Sequence, residues 1–432
     1  MNSFFEKLEN HGGLPALADD EQEISFVEFI HGVEKRKKEL SRITANGNLV
    51  LWKAKPEIKN IIDFFALARL EKIIVPYSDK FHPSFKCFSS NKQVILSDDL
   101  ILCKIPENVY TINLRELKTP GLIIASSGTS GEPKLVVHNL GALLEKYLKL
   151  KRRFISVMAY RLEHISGIET LLSVLTPGGK IVLTSQAGPE LIPSLIIKHK
   201  ADLLSCTPTF LKLTLLQNEN IQWAAGLRKI NLSGEPCSLA WMNKFVDTFF
   251  QAEINNAFGT TESSIHRTET SPDKSGFKPG KNGEDYKVVD GILFLRNKYK
   301  MLGYWQDNEL QEGEWLQTQD RVEELPDGFL KIISNETRGV INVGGRKVYL
   351  SEVEKVIVQV EGVFDAFLVG EPNPLFGQIL KAVIVSKASN NSELKRKILA
   401  HCKLHLPDYL IPVKFEFVDN IPHTLRYKSA VK

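Results

Sequence analysis

The chain has 432 residues, 43% hydrophobic and 25% charged, an ordinary globular composition long enough for two or three domains. Its 55 Lys and Arg nearly balance 51 Asp and Glu, and the formal charge of +4 implies no nucleic-acid or membrane footprint. The opening Met1-Asn-Ser-Phe-Phe-Glu-Lys7 is not built as a signal peptide, and no apolar run approaches the roughly 18 residues of a membrane span.

Taken in order, residues 26–40 read as an amphipathic helix with a basic tail, and 49–52 as a short apolar strand. Residues 58–70 have helical spacing, and 73–76 form a buried strand closed by proline. This alternation predicts parallel pairing through crossovers. From 78 to 119 the signal weakens to short pieces and loops. Leu122-Ile-Ile-Ala125 then reads as a buried strand, followed by Ser126-Ser-Gly-Thr-Ser-Gly-Glu-Pro-Lys134. Gly128 and Gly131 let backbone approach a ligand; Ser126, Ser127, Thr129 and Ser130 supply donors, and Lys134 a positive charge. That set suits a polyphosphate, although Glu-Pro-Lys after Gly131 departs from the common P-loop.

Strands are expected at 180–183, 202–206, 230–233 and 253–257, with a helix at 189–198. Polar clusters follow these strands: Thr207-Pro-Thr209, Gly234-Glu-Pro236 and Phe258-Gly-Thr-Thr-Glu262. Loops at the carboxyl ends of parallel strands are where such sheets bind ligands. Residues 291–331 turn to short strands rich in aromatics, and a polar run at Ser334-Asn-Glu-Thr-Arg338 marks the expected domain boundary. The rest reads as a small α+β unit, with helices at 352–360 and 392–406 and strands at 367–369, 382–386 and 415–418. Cys87, Cys103, Cys206, Cys237 and Cys402 are odd in number and contain no CxxC pair, as expected of a reduced cytoplasmic protein without disulfides or a zinc site.

The motifs, in order, resemble the adenylate-forming superfamily of acyl-CoA synthetases, adenylation domains and firefly-type luciferases, over nearly the whole chain. Residues 126–134 look like its phosphate loop, and His164-Ile-Ser-Gly167 like its acid-pocket motif. Asn256-Ala-Phe-Gly-Thr-Thr-Glu262 matches its Asn-x-Tyr/Phe-Gly-x-Thr-Glu signature. Thr318-Gln-Asp320 with Asp327-Gly328 resembles Thr-Gly-Asp…Asp-Gly. Ile341-Asn-Val-Gly-Gly345 through Glu352-Val-Glu354 looks like the glycine hairpin of the mobile domain, and Pro422-His-Thr424…Lys428 like the closing lysine segment. The resemblance implies an α/β fold: a large N-terminal domain of mixed, mostly parallel sheets and helices (residues 1–335), plus a small mobile α+β domain (336–432).

The resemblance also implies a chemistry. A carboxylate is already ionised at neutral pH, so the obstacle to its attack on ATP is charge repulsion, met by positioning and counter-charge. Thr129, Ser130 and Lys134 would hold the β and γ phosphates, Glu262 Mg2+, and Thr261 the α-phosphate. Asp320 would accept the ribose hydroxyls, with Gly234 and Glu235 beside the adenine. Phe258, next to Gly259 and Thr260, either stacks on the adenine or fills the core. His164, with Gly167, is either a wall of the acyl pocket or a structural histidine. Lys428 would bridge the carboxylate and the α-phosphate; after a domain rotation Gly344 and Gly345 would replace it on the thiol side.

Four departures stand against this pattern. The Gly-Arg before the hinge is absent, with Arg338 the nearest substitute. Gln319 and Tyr427 replace glycines, and the chain is short between Pro76 and Gly121. The implied function is an acid–thiol ligase: a small-molecule carboxylic acid, ATP and Mg2+ give an acyl-adenylate, then a thioester of coenzyme A. The phosphopantetheine of an acyl carrier protein is the alternative acceptor, and a degenerate, non-catalytic binding protein the alternative class. Ala159-Tyr-Arg-Leu-Glu163 stands where amino-acid-activating relatives carry Phe-Asp, which disfavours an α-amino acid substrate.

Overall fold

The computed structural model describes residues 2–44, 49–78, 93–97, 99–103, 108–126, 134–184, 188–218, 220–234, 237, 239–266, 268–271, 276–281, 283–335, 340–343, 346–373, 377–386 and 390–418. One seven-stranded sheet runs in the order Glu253–Asn256, Lys229–Leu232, Leu203–Cys206, Ile155–Met158, Lys180–Val182, Pro15–Ala18, Glu23–Ser25. Its neighbours are parallel except the last pair, an antiparallel edge. Parallel strands need crossovers, and helices Ile192–His199, Pro208–Gln217 and Leu239–Thr248 occupy them. The carboxyl ends of these strands therefore bring residues 159–160, 207, 233–234 and 257 to one edge.

A second seven-stranded sheet has the order Gly303–Tyr304, Lys134–Asn139, Gly121–Ser126, Ile73–Tyr77, Leu49–Lys53, Leu100–Cys103, Gln93–Ser97. The expected parallel pairing holds at its centre, where Leu49–Lys53, Ile73–Tyr77 and Gly121–Ser126 are all parallel. On both sides of these strands the pairing is antiparallel. Leu100–Cys103 runs antiparallel to Leu49–Lys53, inside a stretch expected to be mostly loop. Gly121–Ser126 pairs antiparallel with Lys134–Asn139, so the Gly/Ser stretch joins two strands of a hairpin.

One apolar core serves both sheets. Leu17, Ile181 and Leu203 of the first and Val50, Trp52, Ile74 and Ile124 of the second share it with helices Phe26–Ile43 and Ile58–Arg69. The first of these helices opens on a capping box, Ser25 with Glu28. At the centre, the Phe65 ring stacks on Phe4 and meets Phe5, Phe29 and Phe64 edge-on. Burying each such side chain contributes about 1.5–3 kcal/mol.

A six-stranded antiparallel sheet built from residues 269–335 stands beside the hairpin Phe258–Thr260 and Ser264–His266. The C-terminal sheet has its own core around Val353, Ile357, Ala382, Ile384 and Ile398. It meets the rest of the chain where Lys212 Nζ faces Asp365 at 3.8 Å and Trp241 Nε1 donates to the Phe364 carbonyl at 3.3 Å. Cys103, Cys206, Cys237 and Cys402 are free thiols. Among the described residues no helix is long and apolar enough to cross a membrane.

Candidate active site

The Gly/Ser stretch is held by its ends. Ser126 and Lys134 stand opposite each other in the hairpin, and the Ser126 hydroxyl donates to the Lys134 carbonyl at 3.3 Å. Ser127, Gly128, Thr129, Ser130 and Gly131 lie outside the described residues, as do Glu235, Arg338, Gly344, Gly345 and Lys428. The Lys134 ammonium lies 4.9 Å from the centre of the Tyr304 ring. Tyr304 comes from a short strand zipped antiparallel onto Lys134–Asn139, opposite Val136. Gly303 has φ 156, and a Cβ there would collide with the Glu309 carbonyl, so only glycine admits this approach.

Tyr304 links the lysine to the signature turn. Its hydroxyl donates to Oε1 of Glu262 at 3.3 Å. Burial, with the Glu262 carboxylate nearby, pushes this phenol well above its usual range, so it remains a donor. The turn Thr261–Ser263 caps the hairpin and is anchored through its carbonyls. His138 Nε2 donates to Thr261 O at 2.8 Å, and the Met301 amide to Glu262 O at 2.7 Å. The Thr260 hydroxyl accepts from the Ser263 amide at 3.0 Å, closing the turn from inside. Gly259 is needed for hairpin packing, since a Cβ would meet Ile265 Cα at 2.7 Å. Phe258 is buried and stacks on Phe277, with ring centres 4.9 Å apart. One face of the ring is thus taken by protein.

Asp320 sits beyond a bulge. Residues 318–320 lie between the pairs Phe294↔Gln317 and Ile292↔Arg321, and Gln319 adopts φ 63. That left-handed backbone accounts for the glycine usual in the resembling motif. The Thr318 hydroxyl donates to Leu293 O at 2.9 Å and accepts from the Asp320 amide at 3.2 Å, which fixes the bulge and buries Asp320. Val322 and Leu330, beside this bulge, share one apolar cluster with Phe258, so the two motifs rest on common ground.

The acid-pocket motif caps helix Ile165–Leu175, with His164 at the N-cap. Burial pushes its imidazole below the usual value, against the opposing pull of Glu163. A Cβ on Gly167 would collide with the Arg161 carbonyl, so this glycine seats the helix on the preceding turn. Glu163 is buried, paired with Arg161 and accepting from the Ser78 hydroxyl at 2.9 Å. At the neighbouring strand ends Tyr160 shares a hydrogen bond of 2.7 Å with the Ser233 hydroxyl, next to Gly234 at φ 92. Tyr304, His138 and Tyr160 were not legible as site residues.

Residues 113–305 match the AMP-binding enzyme family, and residues 352–428 match the AMP-binding enzyme C-terminal domain. A 2-succinylbenzoate–CoA ligase of Staphylococcus aureus strain MRSA252 is 26% identical over 358 residues, 78% of this chain and 69% of that protein. The anthranilate CoA ligase AuaEII, solved with anthranoyl-AMP, shares the fold at TM-score 0.74 and 20% identity, over 98% of this chain and 94% of that one. The o-succinylbenzoate CoA synthetase of Bacillus subtilis, solved with its acyl-adenylate, does so at TM-score 0.72 and 18% identity, over 99% and 96%. The chain belongs to the AMP-binding enzyme family.

Proposed function

We propose that this chain is an ATP-dependent, AMP-forming ligase that activates an aryl carboxylic acid and transfers it to coenzyme A. An acid oxygen attacks the α-phosphorus of ATP, the bond to the β-phosphate breaks, and pyrophosphate leaves. A thiolate then attacks the acyl carbon, and AMP departs with the bonding pair. The observation that carries the nucleotide chemistry is the Lys134–Tyr304–Glu262 arrangement, which sets a cation over one aromatic ring and a carboxylate at its hydroxyl, beside the end of the Gly/Ser stretch. The aryl acid and coenzyme A rest on the likeness to 2-succinylbenzoate–CoA and anthranilate CoA ligases.

Lys134, Thr129 and Ser130 hold the β and γ phosphates, and Thr261 the α-phosphate. Glu262 suits Mg2+, since a carboxylate at a turn tip with one oxygen already oriented is a hard-cation donor; bound there, the ion would neutralise phosphate charge. Asp320 takes the ribose, and Gly234 with Glu235 flanks the adenine. His164 walls the acid pocket. Glu163 is already engaged by Arg161 and Ser78, which supports an acid without an α-ammonium group. Lys428 serves the first step, and Gly344 with Gly345 the second, after the small domain beyond residue 335 rotates. A carrier-protein phosphopantetheine is the alternative acceptor, and the cytoplasm the expected compartment.

Acid-dependent pyrophosphate release across benzoates, succinylated benzoates and aliphatic acids tests this, followed by thioester formation with coenzyme A. Release with aliphatic acids alone would sink the aryl reading. ATP binding without release for any acid would mark a non-catalytic member.

A further inference from the structure

Among the described residues the hairpin that carries Thr261 and Glu262 has two strands, and such a hairpin is marginal by itself. The backbone of its outer strand is bonded by side chains. The Ile265 amide donates to Oε2 of Glu169 at 2.7 Å, while the Ile265 carbonyl accepts from Nζ of Lys146 at 2.6 Å. The same ammonium reaches Oε1 of Glu169 and Oγ of Ser264, each at 2.5 Å, which engages all three of its protons. Glu169 also accepts from the Ser264 hydroxyl at 2.6 Å and the Tyr147 hydroxyl at 3.0 Å.

The Glu169 side chain is fully buried and that of Lys146 nearly so. Ser264 holds φ 64, an uncommon backbone for a residue with a Cβ. A buried ion pair is weak evidence for stability, and a role in fixing one geometry is its better-attested use. Glu169 lies one turn into the helix that begins directly after His164 and is seated on Arg161 through Gly167. One helix therefore touches both the acid-pocket motif and the signature hairpin.

We propose that Glu169 and Lys146 are positioning residues that fix the Thr261–Glu262 turn relative to Lys134 and Tyr304. This rests on the reading of Glu262 as the Mg2+ holder. The pair touches no substrate; it sets the outer strand, and the strand sets the turn.

The test is Glu169→Gln in the full chain, assayed by Mg2+ titration of pyrophosphate release with a turned-over acid, alongside Glu262→Gln. The expected result is about a tenfold lower kcat and about a fivefold higher half-saturating Mg2+, with KM for the acid within about twofold and a cooperative melt. A folded Glu169→Gln with an unchanged Mg2+ requirement overturns the proposal, whatever its kcat. Where Glu169→Gln does not fold, Ser264→Ala decides, because it removes one hydroxyl and leaves both charges paired. A rise of about two- to threefold in half-saturating Mg2+ then supports the proposal, and no rise overturns it. A shift in Glu262→Gln without one in Glu169→Gln removes only the positioning role. No shift in Glu262→Gln removes the metal reading, and the positioning role falls with it.

Discussion

Tyr304 donates its hydroxyl to Glu262 across 3.3 Å while its ring lies under the Lys134 ammonium. Two motifs more than a hundred residues apart are thereby joined by one side chain. Tyr304→Phe keeps the ring and removes the donor. A hydrogen bond to a charged group is worth about 1.5–3 kcal/mol, so adenylation should slow about tenfold, with a higher Mg2+ requirement. Tyr304→Leu also removes the cation–π contact, worth about 0.5–2 kcal/mol, and should raise KM for ATP as well. Mg2+ and ATP titrations of pyrophosphate release check both, and wild-type behaviour of Tyr304→Phe would mean the contact is incidental.

His138 should write a pH signature into stability. Burial lowers its pKa from the usual 6.5 to about 4, with the nearby Glu169 pulling up and Lys146 pulling down. Between those values the unfolded chain holds a proton that the folded chain refuses. Stability therefore falls as pH drops through this interval, by about 3 kcal/mol in all, and this group has no effect above it. His138→Phe loses the bond to Thr261 and starts less stable at pH 7, but its curve should be flatter. Urea midpoints from pH 7 to 4.5 should show the two proteins converging; parallel curves would contradict the buried neutral ring.

The bulge at Gln319 predicts an asymmetry between substitutions. Left-handed backbone costs a residue with a Cβ about 1–2 kcal/mol, so Gln319→Gly should be neutral or slightly stabilising and stay active. Gln319→Val should lower the melting temperature and raise KM for ATP, because the β-branch opposes the turn that aims Asp320. Asp320→Ala should raise KM for ATP further with little change in melting. If Gln319→Val leaves nucleotide affinity intact, Asp320 is not where the ribose binds.

The two half-reactions should separate by residue. Lys428→Ala removes a charge needed only while the acid approaches the α-phosphate. A unit pair about 4 Å apart at an effective dielectric near 20 interacts by roughly 4 kcal/mol. Losing about half of that in the transition state slows adenylation about thirtyfold, while thioester formation from supplied acyl-adenylate survives. Gly344→Leu should do the reverse. Equal loss of both steps in Lys428→Ala would make that lysine structural.

Much of the scaffold was legible because its strands are short apolar runs bounded by turns. Observed strands at 49–53, 73–77, 203–206 and 253–256 fall within a residue or two of their expected places. Helix Ile165–Leu175 was not, because nearly every residue in it is buried and it lacks the polar face that gives a helix its period. The antiparallel flanks of the second sheet were not legible, since periodicity carries no information about strand orientation. Of the residues named by motif, Lys134 and Glu262 meet on Tyr304, and Asp320 follows the left-handed Gln319. Tyr304, His138 and Glu169 reach the signature hairpin through sheet pairing and helix docking between distant segments, and no local pattern encodes that.

The antiparallel closure of Ser126 against Lys134 bears on how this chain can be re-engineered. Register on both strands is set below the hairpin by six consecutive pairs, from Gly121↔Asn139 to Ser126↔Lys134. Loop-closure entropy grows only slowly with length, so changing the length of the 127–133 cassette costs the closure of the hairpin little. Libraries confined to that cassette would sample nucleotide analogues while Lys134 stays over Tyr304.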